Sequence, residues 1–166
     1  MKISARSDVG KIRESNQDAY AMGELAGGAV WAVVCDGMGG HAGGNIASSI
    51  AVEAISQTIC SSFRSSMGFS AIKNLFSSAI SAANVKIYDR AKNAPLLKGM
   101  GTTAVVVIAF GSNAYVAHVG DSRVYCADST GITQITEDHS VVQQMINSGT
   151  LTKEEALVSP YKHLIT

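Results

Sequence analysis

The sequence is poor in several things at once. It has two prolines, three cysteines and one tryptophan among 166 residues, and only 16% of it is charged. Three cysteines, Cys35, Cys60 and Cys126, are odd in number, far apart and form no CxxC pair, which argues against a disulfide framework. Nor do they supply a Cys-x5-Arg cradle, which argues against a cysteine-nucleophile phosphatase. Thirteen basic residues balance thirteen acidic ones, so no global field attracts nucleic acid or an anionic membrane. The longest apolar runs, Ala29–Cys35 and Ala104–Phe110, have seven residues each. A membrane span needs about 20. No apolar stretch follows the N-terminal charges, so no secretory signal is read there, and a reducing cytoplasm is the expected location.

What the chain does have is 46% hydrophobic residues and sixteen glycines. That is a globular composition with enough length for one core. Short apolar segments predict strands at Ile3–Val9, Ala19–Leu25 and Ala29–Cys35, the last one buried. The glycine cluster Gly37–Gly44 breaks the pattern. Ile46, Ile50, Ala54, Ile59 and Phe63 then fall near one helical face, with Ala47, Ala51 and Ile55 beside them. After Ser65-Ser66-Met67-Gly68, a second helix carries Ile72, Leu75, Phe76, Ala79, Ile80, Ala83 and Ile87 on one stripe. Strands are expected again at Thr103–Phe110, Ala114–Val119 and Val124–Ala127, paired as antiparallel hairpins, with a short one over Gly131–Ile135. Asp138 or Ser140 could cap a helix through Asn147, and Thr152-Lys153-Glu154-Glu155 has the form of a capping box. Strands, two helices, then strands define an α+β layered domain.

Four segments carry the chemistry. In Val33-Val34-Cys35-Asp36-Gly37-Met38-Gly39-Gly40-His41, an apolar strand delivers a carboxylate into a glycine run. Such a carboxylate is held rigidly and can bridge cations, and the Gly37 carbonyl is a further hard oxygen donor. Arg13-Glu14-Ser15-Asn16-Gln17-Asp18 is by itself a polar loop. Beside a metal site, Arg13 could grip a phosphate with its planar fork and Asp18 could serve the metals through water. In Val119-Gly120-Asp121-Ser122-Arg123, Gly120 could supply a positive φ, and Asp121 is either a turn-stabilising side chain or a metal ligand. Thr136-Glu137-Asp138-His139-Ser140 reads as a helix start.

Arg13…Asn16-Gln17-Asp18, Asp36-Gly37-Met38-Gly39-Gly40-His41, Gly101-Thr102-Thr103, Gly120-Asp121-Ser122-Arg123 and Asp138-His139-Ser140 occur in the order that resembles the type 2C (PPM) family of metal-dependent serine/threonine protein phosphatases, in its bacterial branch. Any one motif is weak and five in register are specific; the resemblance runs from Arg6 to Thr166. It implies two packed, mostly antiparallel sheets flanked by helices in four α-β-β-α layers. It further implies two Mn²⁺ or Mg²⁺ ions, with a third, weaker one. Asp36 would bridge both ions and the Gly37 carbonyl would bind one. Arg13 would orient the phosphate, Asp18 would hold water on the metals, and Asp121 would match a ligand of the third ion. The implied substrate is a phosphorylated protein, with a Ser/Thr kinase or its targets as partners and neither nucleic acid nor membrane.

The sequence departs from the family's pattern at three places. Gln17 stands where many members carry a Glu ligand, which removes one negative charge. Met38 stands where the animal branch has a histidine, a candidate general acid; His41, three residues on, is the substitute candidate. The family's two C-terminal metal-binding aspartates have no counterpart, because no aspartate follows Asp138. The expectation is therefore one catalytic domain over residues 1–166, C-terminally incomplete, weakly active or inactive, with an exposed sheet edge. Two rivals remain at this level. One is a non-catalytic module that binds phosphoproteins. The other is a dinucleotide site on Gly37-Met38-Gly39-Gly40-His41-Ala42, which lacks the acidic residue such sites place about 20 positions further on.

Overall fold

The computed structural model describes residues 1–166, except for the side chains of residues 40–42. The chain forms two compact units, Met1–Ala117 and His118–Thr166.

In the first unit, strands β1 (Asp18–Glu24), β2 (Val30–Met38), β4 (Ala104–Phe110) and β5 (Asn113–Val119) lie side by side in that order. A two-residue strand β3 (Gly101–Thr102) pairs with the end of β2. The β1–β2 and β2–β4 pairs are antiparallel, with Asp18 opposite Asp36 and Val33 opposite Val106. Helices α1 (Gly40–Ser62) and α2 (Phe69–Lys92) follow β2. Ile72, Leu75, Phe76, Ala79 and Ala83 recur at three- and four-residue spacing, and all are buried. They meet Ala51, Ile55 and Ile59 of α1 and Val33, Cys35, Val106 and Ile108 of the sheet in one core. Ile55, Ile59 and Ile108 are fully buried, each contributing about 1.5–3 kcal/mol through apolar area removed from water.

Both long helices were legible as stripes, but the glycine cluster is not a loop throughout. The helix starts at Gly40, so Gly43 and Gly44 lie inside it. The reason is packing: a Cβ on Gly37 would run into the Gly44 carbonyl, and one on Gly44 into the Gln17 side chain. The glycines let the first turns of α1 lie directly on the backbone of β2.

Three further expectations change. Residues 3–9 form no strand. The run Ala29–Cys35 is buried on its core face throughout, at Trp31, Val33 and Cys35, but on the other face burial fades along the strand, from Val30 at 6% exposed to Val34 at 47%. The segment Val124–Ala127 pairs with the strand that follows it.

The second unit instead holds a separate antiparallel hairpin, β6 (Tyr125–Asp128) with β7 (Gly131–Gln134). Asp128 closes its turn by accepting bonds from the backbone N–H and the hydroxyl of Thr130, which hold its carboxyl below the usual range. Helix α3 (Val141–Asn147) is capped by Ser140, whose Oγ accepts from the Gln143 N–H; Asp138 is engaged elsewhere. Helix α4 (Lys153–Val158) opens with the capping box expected from Thr152 and Glu155. The antiparallel sheets and four helices make an α+β fold.

Candidate active site

The strand alternation that sends Cys35 into the core sends Asp36 to the opposite face. The backbone of Asp36 is pinned from β3 and the residue after it. Its N–H donates to Thr103 Oγ1 at 2.9 Å. Its carbonyl accepts from the Thr103 N–H at 2.9 Å and from Thr102 Oγ1 at 2.9 Å. Thr103 is 2% exposed, so its own bonds to Asp36 are partly shielded from water. The end of β2 is therefore a rigid mount for one carboxylate.

Asp18 opens β1 directly across from Asp36. Facing residues of an antiparallel pair hold their Cβ atoms about 4.5–5.5 Å apart, and like charges so placed repel. Asn16 sets the start of β1 by accepting from the Asp18 N–H at 3.0 Å and donating to Ser7 Oγ at 2.6 Å. The Gln17 carbonyl accepts from the Gly37 N–H at 3.1 Å and from Ser48 Oγ at 2.7 Å, which ties the loop to both β2 and α1.

These groups surround a cavity of about 210 Å³ whose lining includes Asp8, Arg13, Gln17, Asp18, Asp36 and Gly37. Four of the expected site residues, Arg13, Asp18, Asp36 and Gly37, thus share one space. Arg13 makes no ion pair among the described residues. Asp8 was not foreseen; its carboxylate accepts from the Gly10 N–H at 2.9 Å and lies 3.6 Å from Arg6. No sequence signal marks it, because only the course of residues 1–16 brings it to the cavity. His41 lies outside the described residues.

The donor set suits a hard divalent cation in kind. A cation between Asp18 and Asp36 relieves their repulsion, and Mg²⁺ is commonly held by one or two carboxylates while keeping several waters. It is small in number: among the described residues, no three His, Cys, Asp or Glu side chains stand together as an ion site.

Asp121 belongs to the second unit. There it lines a cavity of about 870 Å³ together with Arg123, Glu137, Asp138, Lys153 and Lys162. The Arg123 fork grips Asp138 twice, Nε to Oδ1 at 2.8 Å and Nη2 to Oδ2 at 2.6 Å. This bond, then one to Tyr125, holds the guanidinium above its ordinary range. Gly120, with φ of 100°, makes the turn expected of it. Its carbonyl accepts from the His139 N–H at 2.9 Å, and its N–H donates to His139 Nδ1 at 3.3 Å. The His139 ring stacks on His118 at 4.3 Å. Asp138 and His139 thus brace the Gly120–Arg123 turn, while Ser140 caps α3.

An α+β fold that mounts two facing carboxylates beside a guanidinium with no ion pair among the described residues defines a site of hard oxygen donors and one cation. The comparisons narrow this. Residues 11–159 match the family model described as protein phosphatase 2C. The chain is 36% identical over 166 residues to a putative protein phosphatase 2C-type of Streptococcus pyogenes, covering 100% of this chain and 66% of that protein. The serine/threonine phosphatase of S. agalactiae superposes with a TM-score of 0.89 at 37% identity, over 96% of this chain and 64% of that one. The catalytic domain of the phosphatase PstP, solved in complex with two manganese ions, gives 0.76 at 33% identity, over 92% and 62%. The chain belongs to the protein phosphatase 2C family, and spans just under two thirds of the length of these relatives.

Proposed function

We propose that the chain carries a metal-dependent site that removes phosphate from phosphoserine and phosphothreonine in proteins. The observation that supports it best is the single cavity shared by Arg13, Asp18, Asp36 and Gly37. Asp36 and the Gly37 carbonyl would hold two Mn²⁺ or Mg²⁺ ions, with Asp18 acting through water. Held by these residues, such ions would supply a water of lowered pKa and offset charge on the phosphoryl oxygens. Arg13 presents two parallel N–H donors to the phosphate, fixing its orientation as well as its charge. The rigid backbone of Asp36 keeps the ligand geometry from relaxing. No covalent intermediate on sulfur is invoked. Burial pushes the Cys35 thiol up to about 12, and none of the three cysteines lines the cavity. Asp121 is assigned to a third, weaker ion.

Phosphoproteins made by a Ser/Thr kinase are the substrates this reading implies. Among the described residues no helix is long and apolar enough to cross a membrane. The three cysteines are free, which supports a reducing compartment and hence the cytoplasm.

The test is a Mn²⁺ titration by calorimetry alongside hydrolysis of a phosphothreonine peptide, with and without chelator. The chain should bind Mn²⁺ with Kd weaker than about 10⁻⁴ M, given its few ligands. Asp36→Ala should abolish that binding and any chelator-sensitive turnover. Unchanged Mn²⁺ binding by Asp36→Ala would refute the assignment.

A further inference from the structure

A second open space lies against the same strand. It is a groove of about 690 Å³ whose walls include Met38, Ile87, Tyr88, Lys92, Lys98 and Met100. We propose that this groove receives the acidic and apolar residues flanking the phosphorylated residue of a protein substrate. The proposal rests on the phosphatase reading above and adds a specificity surface to it.

Position is the first argument. Met38 lies two residues beyond Asp36 on β2, so both side chains stand on one face of the strand, about 6.8 Å apart along it. Met38 pairs with Gly101, and its side chain drapes over that residue: a Cβ on Gly101 would sit 2.9 Å from Met38 Cε. Thr102, which also lines the groove, donates its hydroxyl to the Asp36 carbonyl. Groove and candidate active site therefore meet at the end of one strand. A peptide whose phosphate sits at Asp36 carries a residue two positions away level with Met38, from which the groove runs on to Tyr88.

Chemistry is the second argument. Met38 is 44% exposed and Tyr88 65%, which is apolar surface that a peptide side chain can cover. Lys92 and Lys98 are both exposed, and no Asp or Glu is among the lining residues. Asp89 is on the same helix but does not line the groove. The chain as a whole carries no net charge, so this is a local cationic excess. It selects for acidic residues on the partner.

The test is fluorescence anisotropy with labelled phosphothreonine peptides of about ten residues and Mn²⁺ present. One set carries alternating Leu and Glu two to four positions from the phosphothreonine, on either side. The other carries Ser and Gly there. One of the Leu/Glu peptides should bind about tenfold tighter than its Ser/Gly counterpart. The double variant Lys92→Glu/Lys98→Glu should erase most of that preference, and Tyr88→Ser part of it. Both lysines are surface residues, so folding is not at stake. A flank preference that is missing, or that survives the double charge reversal, overturns the groove while phosphate-dependent binding leaves the active-site reading intact. Leu/Glu peptides that bind equally tightly with and without the phosphate refute the active-site reading instead, and with it the placement of their flanks in the groove.

Discussion

Replacing Gly37 by alanine should unseat the end of β2 from helix α1. A Cβ there would collide with the Gly44 carbonyl and come within 2.8 Å of the Gln17 carbonyl. Both obstacles are backbone atoms, which cannot rotate away. Overpacking of this kind costs about 1–3 kcal/mol, and the upper end applies because backbone must shift. Alanine also restricts the unfolded chain, which returns about 0.4–1 kcal/mol. The net loss should be about 2 kcal/mol. With a urea dependence of about 1–3 kcal/mol per molar, the unfolding midpoint should fall by about 1 M. The single tryptophan, Trp31, is 6% exposed in β2, so its fluorescence follows this unit directly. Gly68→Ala is the control, because nothing lies within 4 Å of its Cβ position and its φ of −85° is ordinary. It should stay within about 1 kcal/mol of the parent. Mn²⁺ affinity should fall in Gly37→Ala and not in Gly68→Ala, since the displaced backbone carries Asp36. A Gly37→Ala midpoint within about 0.2 M of the parent, with no shift in m, would refute the close-approach argument.

Thr103→Val should cost about 1–3 kcal/mol in urea unfolding, because it removes the acceptor of the buried Asp36 N–H while keeping the side chain's shape. Thr103→Ser should recover most of that, and equal midpoints for the valine and serine variants would contradict the role given to the hydroxyl. Alkylation at about pH 8 followed by intact-mass measurement should add groups at the exposed Cys60 and Cys126 and leave buried Cys35 untouched until denaturant is added. The Cys35 thiol also sets a pH dependence. Its folded pKa of about 12 lies above the ordinary 9.0, so above pH 9 the unfolded chain releases a proton that the folded one retains. Stability should therefore decline with rising pH between 9 and about 12, and Cys35→Ala should flatten that part of the curve.

Much of this molecule could be read from local pattern. The stripes of α1 and α2, the capping box at Thr152, the turn at Gly120 and the strand ending in Asp36 each depend on residues close together in sequence, and each is present. The motif order was sufficient to place the chain in its family. The glycine run signals the carboxylate it follows, whereas its role in seating α1 on β2 shows only in the packed structure. Ile3–Val9 has the composition of a strand but no strand partner among the described elements, and a lone apolar run does not make a sheet.

The sequence by itself determined which carboxylate ends a strand and which faces of the helices are apolar, since backbone periodicity converts spacing directly into direction. Only the tertiary structure decided that Asp18 stands opposite Asp36, that Arg13 shares their cavity, and that the threonines following Met100 clamp the Asp36 backbone. Those relations join residues up to 67 positions apart. They follow from strand register, which the pairing of the whole sheet sets and which no local run of residues encodes.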